Sequence, residues 1–352
     1  IGGDAGAVNP NAWRFAAEDL ERLQAGYDRI VIGGDDFTGR VTIDGTVTGG
    51  LAFTNPVEIR TQAGAQVEIK GEVRADSMSV DGDAPVTFTN AKVVLDEAEG
   101  LQIQGAAVMR GDVVITAPSL AFLGGAGTVA AQAGATLTLL PQDRAQAIVI
   151  GSGAAAGPGF ELGTRELRAL GDGFAAIEIG HADRAADLRI AGDAVFSDAV
   201  TLWGRAVTME AASRITSSGD VTLAAAGDIS VGRIEAAGRT VTVRAEGAGS
   251  TVESNAAGAS NIVAGTVVLE GRGPVDGSGQ ALRVSSDRVD IHTPTGMAMR
   301  QTQTNGDVHF LVVVDGVHYL QLVNTQRGAV ATGKTVLPSV QSTQGSVDAI
   351  VD

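Results

Sequence analysis

Residues 213–247 read SRITSSGDVTLAAAGDISVGRIEAAGRTVTVRAEG, and this stretch decides the fold. Within it Val221-Thr222-Leu223, Ile229-Ser230-Val231 and Val241-Thr242-Val243 each set two apolar residues around one polar residue, with Gly, Asp, Ala or Ser turns between them. Alternation at period two marks a strand with one buried face. Strands of three residues cannot bury that face alone. Stacked in parallel rungs about 4.8 Å apart, they enclose one thin continuous core and satisfy one another's backbone groups.

The same figure recurs outward from this stretch, at Val41-Thr42-Ile43, Val57-Glu58-Ile59, Val67-Glu68-Ile69, Val86-Thr87-Phe88 and Val289-Asp290-Ile291. Each middle residue is expected to face outward. Val200, Val221 and Val241 open equivalent triplets at intervals of 21 and 20 residues, with Val207/Met209 and Ile229/Val231 between them. That rhythm predicts a β-solenoid, since a β-sandwich needs longer strands and fewer turns.

A longer repeat overlies the short one. Residues 20–45 align without gaps on residues 167–192, an offset of 147, with Gly26/Gly173, Ile30/Ile177, Ile32/Ile179, Gly33/Gly180, Asp36/Asp183, Val41/Leu188 and Ile43/Ile190 agreeing in kind. The expected organisation is a first long repeat over 1–149, a second over 150–327 and a polar, poorly ordered tail over 328–352. Each repeat opens on a short helical insertion. In the first, Trp13, Ala17, Leu20 and Leu23 share a helical face that ends at Gly26; in the second, Thr164 is expected to cap a turn carrying Leu167 and Leu170. Near the end, HFLVVVDGVHYLQLV (309–323) sets Asp315-Gly316 between two apolar runs, a hairpin signal that would cap the last rung.

Composition agrees. With 48 glycines and only 4% aromatics in 352 residues, a single thick core is not available. A formal net charge of −16 disfavours nucleic acid and anionic membrane surfaces and is compatible with divalent cations. The absence of cysteine excludes disulfides and thiolate metal sites. No apolar run approaches the roughly 18 residues needed to span a bilayer. The chain begins at Ile1 with no charged-then-apolar leader, and is read as a piece of a larger protein.

The outline EL..L..G...I.IG......I.I.G over 166–192, the opening stretch 213–247, and the glycine-rich spacer, strand and small-residue turn over 268–309 together resemble the repeat regions of filamentous-haemagglutinin-like bacterial exoproteins. The likeness covers roughly residues 1–310. It implies a right-handed parallel β-helix, export by two-partner secretion, and a role in adhesion, aggregation or display at the surface of a Gram-negative cell. NPNA (9–12) is similar to an element of that family's secretion domain but lacks its glycine, and is read as a turn.

Four features invite chemistry. GAVATGKT (328–335) fits the phosphate-cradling G-x-x-x-x-G-K-T pattern, but Pro338 breaks the helix that must follow and only 17 residues remain after Thr335, so no nucleotide is expected. Catalysis is not expected either, because three lysines (Lys70, Lys92, Lys334) and four histidines (His181, His292, His309, His318) lie scattered among aspartates that mostly sit beside turn glycines. Asp35, Asp36 and Asp183 recur at corresponding places in the long repeats, with Asp81 and Asp83 forming another acidic turn; the first three are candidate calcium ligands or simple turn formers. Trp203 alternates outward after Val200 and Leu202, placed either to stack on a sugar or partner protein or to cover a rung beneath a loop. The expected function is the structural shaft or an adhesive segment of a large secreted or surface-anchored exoprotein, with other cell-surface molecules, extracellular polysaccharide or matrix as partners. The alternative is a carbohydrate-binding β-helix or a polysaccharide lyase or hydrolase.

Overall fold

The computed structural model describes residues 23, 25–132, 134–151, 159–248, 250–255, 261–271, 282–293, 299–301, 307–314 and 317–324, with side chains described as far as residue 292. They form a parallel β-solenoid of about ten turns with almost no helix. The chain divides into two compact units, Ile1–Gln146 with Ala154–Ile179 and Ala147–Gly153 with Gly180–Asp352.

In the first unit the coil has three faces. One is the parallel stack Ile30–Gly33, Val57–Arg60, Met78–Asp81, Leu101–Ile103 and Leu120–Phe122. The second stacks Arg40–Gly45, the start of Gln66–Ala75, the start of Val86–Leu95, Ala107–Arg110 and Val129–Ala131. The third stacks Leu51–Ala52, the ends of the same two long strands, Val113–Ala117, Thr136–Pro141 and Ala176–Ile179. The register between the long strands shifts from Lys70 to Gly71, where the chain passes from the second face to the third.

The second unit repeats the plan. Its first face runs Ile148–Ile150, Leu188–Ile190, Val207–Met209, Ile229–Val231 and Val252–Ser254. Another face carries Val200, Val221, Val241, Val267 and Val289 opposite one another, all buried, so the 21- and 20-residue spacing is a true register.

Inward columns make the core. Val41, Val67, Val86, Ala107 and Val129 stack in register, and beside them Ile43, Ile69, Phe88 and Met109, every one buried. Outward columns carry paired charges: Lys70 lies opposite Asp44 at 2.8 Å, Lys92 opposite Glu72 at 3.3 Å, and Arg244 opposite Glu270. Each such exposed pair contributes only about 0.2–1 kcal/mol. Their larger effect is on register, since a one-residue slip carries every side chain to the other face.

Two glycine pairs matched at the 147-residue offset share backbone angles, although the aligned strands Ile30–Gly33 and Ala176–Ile179 lie on different faces, the first and the third. Gly33 and Gly180 have φ of 92° and 91°, and Gly26 and Gly173 have 108° and 113°. A Cβ on Gly33 would lie 2.3 Å from the Arg60 carbonyl oxygen, and one on Gly180 would lie 2.3 Å from that of Trp203. The same close approach to the backbone of the following rung explains Gly33 and Gly180, whereas Gly26 and Gly173 share only the positive φ.

The second helical insertion is the short helix Thr164–Ala169, which buries Leu167, with Leu170 buried immediately after it. Thr164 is not its cap. Gly163, extended at φ −72° and ψ 177°, takes that place, and its carbonyl accepts the hydrogen bond of the Leu167 N–H at 3.0 Å. Glycine is itself a serviceable N-cap residue, so the threonine is drawn into the first turn. The predicted hairpin is formed by Asp307–Val314 and Val317–Asn324, antiparallel, with Val314 opposite Val317. Its first strand also continues the parallel ladder beside Arg288–Thr293. The first insertion at Trp13, the NPNA turn, the Asp315-Gly316 loop and the stretch 328–335 lie outside the described residues. Among the described residues no helix is long and apolar enough to cross a membrane.

Candidate functional site

Parallel registry in the first unit creates a groove that no single strand foreshadows. Val31, Glu58, Ser79 and Gln102 stand opposite one another on successive rungs of the five-stranded face, as do Gly33, Arg60 and Asp81. The groove has a volume of about 470 Å³, with Arg29, Glu58, Ser79, Asp81, Glu97 and Gln102 among its walls.

Glu58 is the anchor. As the middle residue of Val57-Glu58-Ile59 it is expected outward and solvated, yet only 6% of it is exposed. Arg29 Nη1 donates to Glu58 Oε2 at 2.8 Å, and Arg60 Nε donates to Oε1. Those two hydrogen bonds hold the carboxyl well below its ordinary value of 4.5, at about 2, against the opposing effect of burial. Arg60 is raised in return by its hydrogen bond to Glu58, with smaller contributions from Asp35 and Asp81. Asp81 is displaced the other way: burial raises it first, and the hydrogen bond and charge of Glu58 add to that. Two neighbouring carboxyls on adjacent rungs are thus driven apart, one held ionised and one drawn toward its protonated form.

Glu58 contributes fully above its ordinary 4.5, and that contribution disappears as pH falls from 4.5 toward about 2. Arg29 and Arg60 are 55% and 39% exposed, so the full linkage value is reduced by solvent screening to about 1–2 kcal/mol. Asp81 acts in the opposite sense, since its ionised form is the one folding disfavours. Chemical denaturation between pH 6 and pH 2 is expected to show that acid-dependent loss in the parent chain, and Glu58→Gln is expected to flatten it.

The residues singled out from sequence lie elsewhere. Asp35 and Asp36 sit on the exposed turn after Ile30–Gly33, and Asp183 on the exposed turn after Ala176–Ile179. Among the described residues no three His, Asp or Glu side chains gather closely enough to hold a metal ion. Trp203 does alternate outward, but it is half-buried, and the Arg184 guanidinium lies 5.1 Å from the centre of its ring. Arg184, at φ 56°, spans several rungs to make a bidentate pair with Glu246, with Nη2 donating to Oε1 at 2.9 Å. The indole is therefore partly covered by the Arg184 side chain, which Glu246 holds in place. The groove was missed because Arg29, Glu58 and Asp81 come from three different turns. The available signal was the charge triad Glu58 and Arg60 on one strand with Arg29 a turn earlier.

No protein-family model matches the chain, and no curated protein or solved structure is similar to it.

Proposed function

We propose that the chain is a shaft or adhesive segment of a large secreted or surface-anchored bacterial exoprotein. The observation that carries this reading is the ladder itself: in each unit, rung after rung repeats one inward apolar column and one outward column of short polar or paired charged residues. Such a fold lengthens by adding rungs, because each turn contacts only its neighbours. The sequence likeness at the 147-residue offset, with Gly33 and Gly180 at φ of 92° and 91°, fits growth by duplication of stretches of coil. The resemblance to filamentous-haemagglutinin-like repeats supports the same reading and adds the outer surface of a Gram-negative cell as its place. The chain would hold a distal region away from the cell or take part in cell–cell or matrix contact.

The test combines whole-cell labelling with an adhesion assay. Antibody against the chain is expected to label intact source cells or to detect the chain in the medium, and loss of the parent protein to reduce adhesion or aggregation. Label confined to permeabilised cells would overturn the reading. So would catalytic release of reducing or unsaturated sugar ends by the purified chain.

A further inference from the structure

We propose that the groove across the five-stranded face binds an oligosaccharide bearing free amino groups. The inference goes beyond the shaft reading and does not depend on it.

Size comes first. A groove of about 470 Å³ lies within the range of small-ligand clefts, roughly 300–1,000 Å³, and is large enough for a few sugar rings. Its floor is regular. Ser79 and Gln102 place a hydrogen-bonding side chain on each of two adjacent rungs about 4.8 Å apart, close to the length of one pyranose ring in a linear chain, next to the rung where Glu58 is held by Arg29 and Arg60. Ser79 offers a hydroxyl that both donates and accepts, and Gln102 an amide that does the same, the mixture that sugar hydroxyls require.

Tyr27 immediately precedes Asp28 of the groove lining, and its backbone N–H is fixed by Asn55 Oδ1 at 2.9 Å. It is 57% exposed, so its ring is open to solvent next to the first lining residue.

Charge selects the kind of sugar. Arg29 and Arg60 both pair with Glu58, while Asp28, Asp81, Glu97 and Glu99 have no ion pair among the described residues, so five carboxylates stand against two guanidinium groups. The surplus is negative, so a uronic acid polymer is repelled and an ammonium-bearing hexosamine attracted. A metal ion is a poorer match, because no three ligating side chains come together. A basic peptide is poorer too. Val57–Arg60 and Met78–Asp81 are each paired on both sides, which leaves no strand edge in the groove for a peptide to extend.

The full chain is to be titrated calorimetrically with the tetramer of β-1,4-linked glucosamine, and in parallel with its N-acetylated form, with tetragalacturonate and with tetralysine. Saturable binding of the glucosamine tetramer is expected, at least tenfold tighter than any of the other three. Asp81→Asn and Gln102→Trp are each expected to weaken it at least tenfold with circular dichroism unchanged. Gln102 is exposed, so its variant keeps the test decisive if Asp81→Asn fails to fold. Absence of saturable binding, equal binding of the N-acetylated tetramer, of tetragalacturonate or of tetralysine, or undiminished binding by Gln102→Trp would each overturn the proposal.

Discussion

Phe88→Ala is expected to lower stability by about 3–5 kcal/mol, the range for removing a fully buried phenylalanine from a packed core. Phe88 is 0% exposed and stands in register between Ile69 on one rung and Met109 on the next. Because each rung depends on its neighbours, the loss should spread along the coil before the rest unfolds. Hydrogen exchange is expected to show the amides of 66–71 and 107–110 losing protection together with those of 86–89. Thr87→Ala, one residue away on the outward side, should stay within about 0.5 kcal/mol. Equal effects from the two substitutions would mean that the alternation does not carry the stability.

Gly180→Ala is expected to cost about 2–4 kcal/mol, through two causes acting together. Its φ of 91° is strained for any residue with a Cβ. The added carbon would also lie 2.3 Å from the Trp203 carbonyl oxygen and 3.0 Å from Ile148 Cδ1. Gly33→Ala should behave alike, since its Cβ would meet the Arg60 carbonyl oxygen at the same 2.3 Å. Gly134 separates the causes. At φ 85° with nothing within 4 Å, its alanine variant bears only the backbone strain, about 1–2 kcal/mol. Urea midpoints of the three variants check the ordering, and a Gly134→Ala loss as large as that of Gly180→Ala would remove the role of close rung contact.

The groove also shows how far a strand pattern can be read. Val57-Glu58-Ile59 and Val67-Glu68-Ile69 have the same outline, yet Glu58 is buried between two guanidinium groups while Glu68 remains on the half-exposed outer face. The difference comes from Arg29, which reaches Glu58 from the preceding turn. Trp203 teaches the same point, since its outward direction follows from alternation with Leu202, whereas its cover by the Arg184 side chain depends on Glu246, which holds it in place. Thr164 lost the cap to Gly163 for a more local reason, because both residues are acceptable there and the backbone angles decided.

What the sequence by itself determined is the rung: two inward apolar residues, one outward polar residue and a turn, repeated closely enough that only stacking could bury it. It also determined the hairpin of Asp307–Val314 and Val317–Asn324, because two apolar runs around an Asp-Gly pair are a local property of the chain. What only the tertiary structure decided is which outward residues become neighbours. On the five-stranded face the rungs begin at Ile30, Val57, Met78, Leu101 and Leu120, so successive turns hold 27, 21, 23 and 19 residues. Turns of unequal length bring residues together at no fixed sequence spacing. For that reason Arg29, Glu58 and Asp81 meet in a groove that the fold assembles and no stretch of sequence spells out.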